Sequence, residues 1–297
     1  MELTWINKLR IAAVAGLGIV LIGILAWPLA APVDPLLPVR ASDVSLPGTL
    51  LLLVLALAIG FAGYFIAWPH GREIGILGVP FGLTIWAGRS GPMRTLTQAF
   101  DDAPERAALL HSLLAEPFYW LLLVATGFAG VLLAQHLRPT PKQPADDQSP
   151  ARRLSANVYV NASIALVVAV LISQFFVGVF AQNLAMSRNA AAQPAVGQII
   201  FAVTAAFAIA AFIVKRFLDL SYLLPAAASL FVIALATAFF YRAETIRQFA
   251  ETYPATFFPH SIFAIVPVQL VALGALGSVI GFWMAVRYDY WRKHETG

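Results

Sequence analysis

Long apolar runs separated by short polar stretches dominate the chain and predict an all-helical membrane bundle. Seven runs are long enough to cross a bilayer, since about twenty apolar residues are needed to cover ~30 Å of hydrocarbon. They cover residues 11–31, 48–68, 117–137, 156–182, 196–214, 220–241 and 261–286. The pattern therefore predicts an all-α, polytopic integral membrane protein.

An eighth, shorter run at residues 73–88 is interrupted by Gly75, Gly78, Pro80 and Gly82. With about sixteen residues it falls short of a standard span, so it crosses the membrane, dips into it or lies on its surface. Loop charge favours crossing, because short cytoplasmic loops collect Lys and Arg.

Eight spans with both termini in the cytoplasm place twelve of the 19 basic residues on that side, whereas seven spans give no bias. The twelve are Lys8, Arg10, Arg72, Arg138, Lys142, Arg152, Arg153, Lys215, Arg216, Arg287, Arg292 and Lys293. We therefore expect eight spans, one of them short and broken.

A stretch rich in proline and charge, residues 138–155, divides the chain into two predicted four-span halves, 1–137 and 156–297. In each half the first and third connections between the spans are long and the second is short. Parallel duplication is known among membrane folds, but the halves share no residue-level identity, so duplication remains one alternative. None of the loops is long enough for a folded soluble domain.

Composition narrows the class of protein further. The chain is 60% hydrophobic and 11% charged, roughly half the charge of a soluble protein. Because the basic residues lie at the ends of apolar runs, the pI near 9.5 indicates contact with lipid head groups and not with nucleic acid. The first run follows Lys8 and Arg10 and is interpreted as a retained span, with a cleaved signal peptide as the alternative. The abundance of Ala and Gly favours a bacterial inner membrane.

Candidate chemistry is sparse. The chain has no cysteine, and no ionisable side chain lies near the centre of the seven runs, which argues against metal thiolates and proton relays. Embedded amides and a discontinuous helix offer polar groups to a solute, although both also serve helix packing. The candidate solute or packing site consists of Gly75, Gly78, Pro80, Gly82, Gln174 and Gln269.

The last run carries small residues on one helical face, where they let another helix approach closely. This candidate helix–helix interface comprises Gly274, Gly277, Ser278 and Gly281, with a partner either in the same chain or in another subunit. The five histidines lie near run ends and are interpreted as interfacial residues; a haem, quinone or pigment is left open as a cofactor. The sequence contains no motif for a catalytic or metal site.

Three functional hypotheses follow from these patterns. The first is a non-catalytic membrane subunit that scaffolds or anchors a larger inner-membrane complex, with lipids and other membrane subunits, or further copies of itself, as partners. The second is a transporter or permease component for a small solute, with residues 73–88 near its pathway. The third, an enzyme acting on lipids, requires His70, Arg72, Glu73 and Glu116 to gather at one membrane surface.

Overall fold

The protein is described here from a computed structural model, which covers residues 4–100, 102–139, 157–182, 191–240, 242, 244–245, 248–249 and 256–295. The helices in chain order are α1 (Trp5–Gly18, continued by the π-helical stretch Ile19–Leu25), α2 (Leu46–Ile66), α3 (Gly71–Ile74), α4 (Gly78–Arg89), α5 (Met93–Ala99), α6 (Ala103–Leu113), α7 (Glu116–Leu137), α8 (Val158–Phe180), α9 (Val196–Leu218), α10 (Leu223–Phe240) and α11 (Pro267–Glu295). Two short strands, β1 (Ala191–Ala192) and β2 (Phe257–Phe258), pair in antiparallel orientation.

Seven helices within these described ranges are long and apolar enough to cross a membrane. They cover Trp5–Leu25, Leu46–Ile66, Pro104–Leu137, Val158–Phe180, Val196–Leu218, Leu223–Phe240 and Pro267–Arg292, and each overlaps one predicted run. The prediction of an all-helical, multi-pass membrane protein is thereby confirmed.

The first and last spanning helices are displaced from their predicted runs by local capping chemistry. The first begins at Trp5, because the hydroxyl of Thr4 accepts the backbone N–H of Asn7 and caps the helix. At the other end of the chain, residues 261–264 form a 3-10 turn, and α11 begins at Pro267. Proline suits the first position of a helix because the N–H that it lacks would have no helical partner there.

Residues 71–89 form a broken segment made of α3, a 3-10 turn (Gly75–Leu77) and α4. At 1.5 Å per α-helical residue and 2.0 Å per 3-10 residue, the segment is about 30 Å long, the thickness of the hydrocarbon layer. It starts just after α2 ends, and at its far end Ser90 Oγ accepts the N–H of Val39 at 3.0 Å, in the loop that precedes α2. The broken segment therefore extends along the length of α2.

Hydrogen bonds between the connections define two ends of the bundle. At the loop end, Glu116 Oε2 accepts the N–H of Ala41 at 3.0 Å. At the terminal end, the hydroxyl of Tyr64 donates to the carbonyl of Arg138 at 2.6 Å. Further hydrogen bonds or ion pairs assign Ser90, Gln193 and Ala264 to the loop end and Arg216 and Asp289 to the terminal end.

Helix α11 is the most buried of the spanning helices, with 78% of its apolar window inside the bundle. Its small-residue face packs on α9 of the same chain: side chains at Gly277 and Gly281 would overlap the carbonyl oxygens of Thr204 and Ala208. Ser278 donates to the carbonyl of Gly274 at 2.7 Å within the helix. The predicted interface is thus occupied by an internal partner.

Most of the predicted linker, residues 140–155, lies outside the described residues, which include only Arg138 and Pro139 of it. The division into halves 1–137 and 156–297 remains a prediction. One buried apolar cluster contains residues of both parts, since Val268 and Val271 of α11 belong to the same cluster as Leu52 and Trp86.

Candidate functional site

A cavity of about 540 Å³ lies between α8 and α10 near the loop end. Residues of β1 and of the turn that follows β2 close one side of it. Its walls are formed by Leu171, Gln174, Phe175, Gly178, Val179, Gln182, Ala191, Leu235, Phe239, Phe240, Pro259, His260 and Ser261. A volume of this size is typical of sites that hold small molecules.

The apolar walls of the cavity continue onto the outer surface of the bundle. Phe175 on α8 is 63% exposed and Phe239 on α10 is 66% exposed. Both belong to helices that are apolar enough to span the membrane, so these rings face hydrocarbon. The apolar walls of the cavity therefore continue onto the outward faces of α8 and α10.

Gln174 supplies a buried polar atom to the cavity. Its Oε1 atom is inaccessible to solvent and has no hydrogen-bond partner among the described residues. A buried acceptor without a partner costs about 1–3 kcal/mol. Because a water-sized probe does not reach Oε1, a ligand in the cavity does not reach it in this conformation. Of the two embedded amides that the sequence singles out, only Gln174 lines this cavity.

His260 supplies the second polar group. Its Nδ1 accepts the N–H of Ile262 at 3.3 Å, and its ring stacks on Phe240 with centroids 4.5 Å apart. Burial lowers the pKa of His260, so the ring is neutral at pH 7. Because Nδ1 is used as an acceptor, the proton resides on Nε2, which lies 3.2 Å from the position that a side chain at Gly178 would take.

The glycines of the broken segment, by contrast, are used for helix packing. A Cβ at Gly82 would lie 2.6 Å from the carbonyl oxygen of Gly18, and one at Gly78 would lie 2.6 Å from Ile59 Cγ2. A Cβ at Gly75 would lie 3.0 Å from the backbone nitrogen of Tyr64. Pro80 is buried in the first turn of α4, where proline is tolerated. These residues bring helices together, and the cavity lies elsewhere.

Gln269 joins two elements at the loop end. Its Nε2 donates to the carbonyl of Ala87 at 3.0 Å, and its Oε1 accepts the N–H of Val266 at 3.1 Å. Both polar atoms of the amide therefore have protein partners. The side chain ties the start of α11 to the end of the broken segment.

Glu116 is a buried carboxylate with structural partners. Its Oε2 accepts the N–H of Ala41 at 3.0 Å and the indole N–H of Trp120 at 3.2 Å. It lies at the loop end, whereas Arg72 and Glu73 follow the other end of α2. The gathering of these groups that the enzyme hypothesis required is absent from the described structure.

Arg72 and Glu73 lie near Tyr222, which precedes α10. Burial is the main cause that raises the pKa of Tyr222 to about 12, with Arg72 opposing the shift and Glu73 adding to it. The phenol stays protonated at any physiological pH. Within the ranges that the structure describes, no three His, Asp or Glu side chains lie together as a metal site.

Comparison of the chain with protein-family models, with curated proteins and with solved structures finds no match. The class that the fold itself defines is a multi-pass, all-helical integral membrane protein. His260 was not predicted as a site residue. The sequence does place it after two phenylalanines and a proline, but only the folded path brings it beside Gln174 and Gly178.

Proposed function

We propose that this protein is a non-catalytic subunit of the bacterial inner membrane that scaffolds or anchors a larger complex. The observation that carries the proposal is the closed packing around the broken segment. Gly18 of α1 meets Gly78, and Gly82 meets Gly18 and Ile22, so backbone fills the space where a solute pathway would lie. A chain sealed in this way acts through its membrane-facing surface.

The buried polar groups of the bundle support the same proposal. Glu116 Oε2 and both polar atoms of Gln269 bond to backbone or indole groups of their own chain. Catalysis needs an acid, a base or a nucleophile within reach of a reacting atom. Glu116 and Gln269 are only 5% and 2% exposed, so neither side chain is presented to a substrate at the surface of the bundle.

The experiment that tests the subunit proposal is site-specific photo-crosslinking in native membranes. A benzophenone amino acid is placed at Val54, Phe118 or Phe201, which are 63%, 64% and 61% exposed and lie on α2, α7 and α9. A subunit is expected to yield a discrete protein adduct from at least one of these positions. Leu52, which is 0% exposed, is the control and should crosslink only within the chain.

Adducts with lipid alone at all three positions, together with a colourless single species in mild detergent, would contradict the subunit proposal. Adducts only with further copies of the chain would replace a mixed complex by self-association. Mass spectrometry of the adducts separates these outcomes.

We further propose eight membrane crossings with both termini in the cytoplasm, the broken segment being the third crossing. Its length of about 30 Å and its contacts at both ends of α2 support this threading. The chain has no native cysteine, so single cysteines at Ser42 and Gln98, both exposed, report on it directly. Labelling of both positions by an impermeant maleimide from the same outer face supports eight crossings. Labelling from opposite faces would leave only seven.

The alternative function is a transporter component. One observation favours it: the broken segment is a discontinuous helix in the middle of the bundle, as in many transporters. A transport pathway along this segment requires its helix contacts to open. Disulfide crosslinking of cysteines at Val14 and Ile59, which both lie beside Gly78, would then stop flux, whereas a subunit would tolerate it.

A further inference from the structure

The second half of α11 carries an exposed stripe of side chains whose character changes along the helix. Ile280 and Met284 are apolar, and Arg287, Tyr288 and Trp291 follow them at spacings of three or four residues. Positions three and four apart lie on one face of a helix, and all five side chains are exposed. The stripe is therefore apolar in its first part and cationic and aromatic where it approaches the terminal end of the bundle.

The length of α11 places the cationic part of this stripe at a membrane surface. Arg287 lies twenty residues after Pro267, where the helix begins. Twenty helical residues rise about 30 Å, which is the thickness of the hydrocarbon layer. Tyrosine and tryptophan favour the level of the lipid head groups, and Tyr288 and Trp291 lie beside Arg287 on the stripe. Both observations place Arg287 among the head groups at the terminal end.

Arg287 directs its charge away from the body of the bundle. Its guanidinium lies 4.7 Å from the centre of the Trp291 ring, within the range of a cation–π contact. Asp289 is held by Arg216 of α9, with 2.8 Å between Oδ1 and Nη1. Because positions 287 and 289 are about 200° apart around the helix, this carboxylate belongs to the opposite face. Arg287 is thus an exposed cation in the part of the chain that the structure describes.

We propose that this stripe of α11 binds an anionic phospholipid. The phosphate accepts hydrogen bonds from Arg287, whose planar guanidinium matches two phosphate oxygens. An acyl chain lies along Met284 and Ile280, where the exposed surface is apolar. A zwitterionic phospholipid has no net charge and is attracted less strongly by the arginine. The site concerns the lipid partner of one surface and does not depend on the proposed subunit function.

The test measures which lipid lies beside the stripe. Because the chain has no native cysteine, Ile280→Cys carries a single fluorophore, which lipids with brominated acyl chains quench on contact. The purified full chain is placed in phosphatidylcholine vesicles that contain a fixed minor fraction of brominated phosphatidylglycerol or brominated phosphatidylcholine. We expect phosphatidylglycerol to be preferred about 5-fold at low salt, the contribution of one basic residue near a membrane surface. The preference should decrease at high salt, which screens the charge.

Two variants at position 287 and one matched control assign the site. Arg287→Gln removes the charge and is expected to bring the two lipids close to equal quenching. Arg287→Lys keeps the charge and should retain most of the preference. Arg89→Gln is the control, because Arg89 is also exposed and lies over a tryptophan, 4.2 Å from the ring centre of Trp27, but at the loop end. It should leave quenching at position 280 unchanged.

Each outcome decides the proposal. Equal quenching by the two lipids in the labelled chain, or a preference that survives in Arg287→Gln, would overturn it. An equal loss of preference in Arg89→Gln would replace the site by an effect of total charge. Loss of the preference on addition of excess glycerol 3-phosphate would make the ligand a soluble phosphate and not a lipid. A preference that salt does not reduce would also contradict the proposal, and this measurement needs no change at Arg287.

Discussion

Glycine lines both the central seam of the bundle and the cavity between α8 and α10, but in opposite surroundings. In the central seam, which comprises Gly18, Gly78 and Gly82, a Cβ would collide with the backbone of a neighbouring helix at Gly18 and Gly82 and with the side chain of Ile59 at Gly78. At Gly178 the nearest atom to a Cβ is the edge of His260, at 3.2 Å, and beyond it lies the cavity. The same residue type closes one region and leaves space in the other.

Polar side chains differ between the two regions in the same way. Beside the seam, both polar atoms of Gln269 bond to backbone groups. In the cavity, Gln174 Oε1 has no described partner. A buried amide with its hydrogen bonds made contributes to the stability of the fold, whereas a buried acceptor without a partner costs stability. The two glutamines therefore differ in their hydrogen bonds, although they are the same residue type.

The largest effect is expected in the central seam. Gly18→Ala places a methyl group onto the carbonyl oxygen of Gly78, which forces the broken segment away from α1. Overpacking of this kind typically costs 1–3 kcal/mol, and because backbone must move we expect about 3 kcal/mol. Thermal unfolding in detergent, followed by size-exclusion chromatography, measures the loss.

Gly16→Ala is the matched control on the same helix. No atom lies within 4 Å of a Cβ at Gly16, so the variant should be as stable as the natural chain or gain up to about 1 kcal/mol from helix propensity. Equal stability of the two variants would show that α1 and the broken segment are not in contact in the membrane.

The second effect concerns the buried carboxylate at the loop end. Glu116→Leu leaves the N–H of Ala41 and the indole N–H of Trp120 without their acceptor, and each unpaired buried donor costs about 1–3 kcal/mol. We expect a net loss of about 2 kcal/mol and faster hydrogen exchange at Ala41. Glu116→Gln keeps one carbonyl oxygen as an acceptor and should lose less. Equal destabilisation of both variants would mean that the charge of Glu116, and not its hydrogen bonds, stabilises the loop end.

The class of fold could be predicted from the sequence because the hydrocarbon of the membrane restricts which secondary structure an apolar run can adopt. A run of about twenty apolar residues has to be helical, since no water is present to bond its backbone. Residues 196–214 illustrate this: the helix begins at Val196 as predicted. Boundaries were less predictable where a single capping side chain decides them, as Thr4 does for the first helix.

The candidate site could be predicted only in part. Gln174 was identified because an amide is unusual in a spanning helix. His260 lies in a connection, and its place beside α8 depends on the pairing of β1 with β2 and on the turn at 261–264, which are contacts between distant parts of the chain. Likewise, spacing shows that Gly277 and Gly281 share a face but does not identify α9 as the partner.

A smaller effect distinguishes the two embedded amides. Gln174→Leu loses no described hydrogen bond to Oε1 and removes an unpartnered buried acceptor, so it should leave the free energy of unfolding unchanged or raise it by up to about 1–3 kcal/mol. Gln269→Leu has the same change in size and loses bonds to Ala87 and Val266, so we expect a cost of about 1–2 kcal/mol. Thermal unfolding of the pair in one detergent makes the comparison. Similar losses for both would mean that Gln174 is also a structural residue.

The smallest effect is a dependence of stability on pH that arises at the cavity. Burial lowers the pKa of His260, while the unfolded chain keeps a value near 6.5. Below pH ~6.5 the unfolded state therefore binds a proton that the folded state refuses, and stability falls as the pH drops towards the lowered pKa. Above pH ~6.5 both states are neutral and the effect vanishes.

His260→Asn lacks the titrating group, so the midpoint of thermal unfolding should drop less between pH 7.5 and 5 than in the natural chain. The two proteins differ only at position 260, so the difference between the two profiles isolates His260. Superimposable profiles would place the ring of His260 in water, and the wall of the cavity would then differ from the one described.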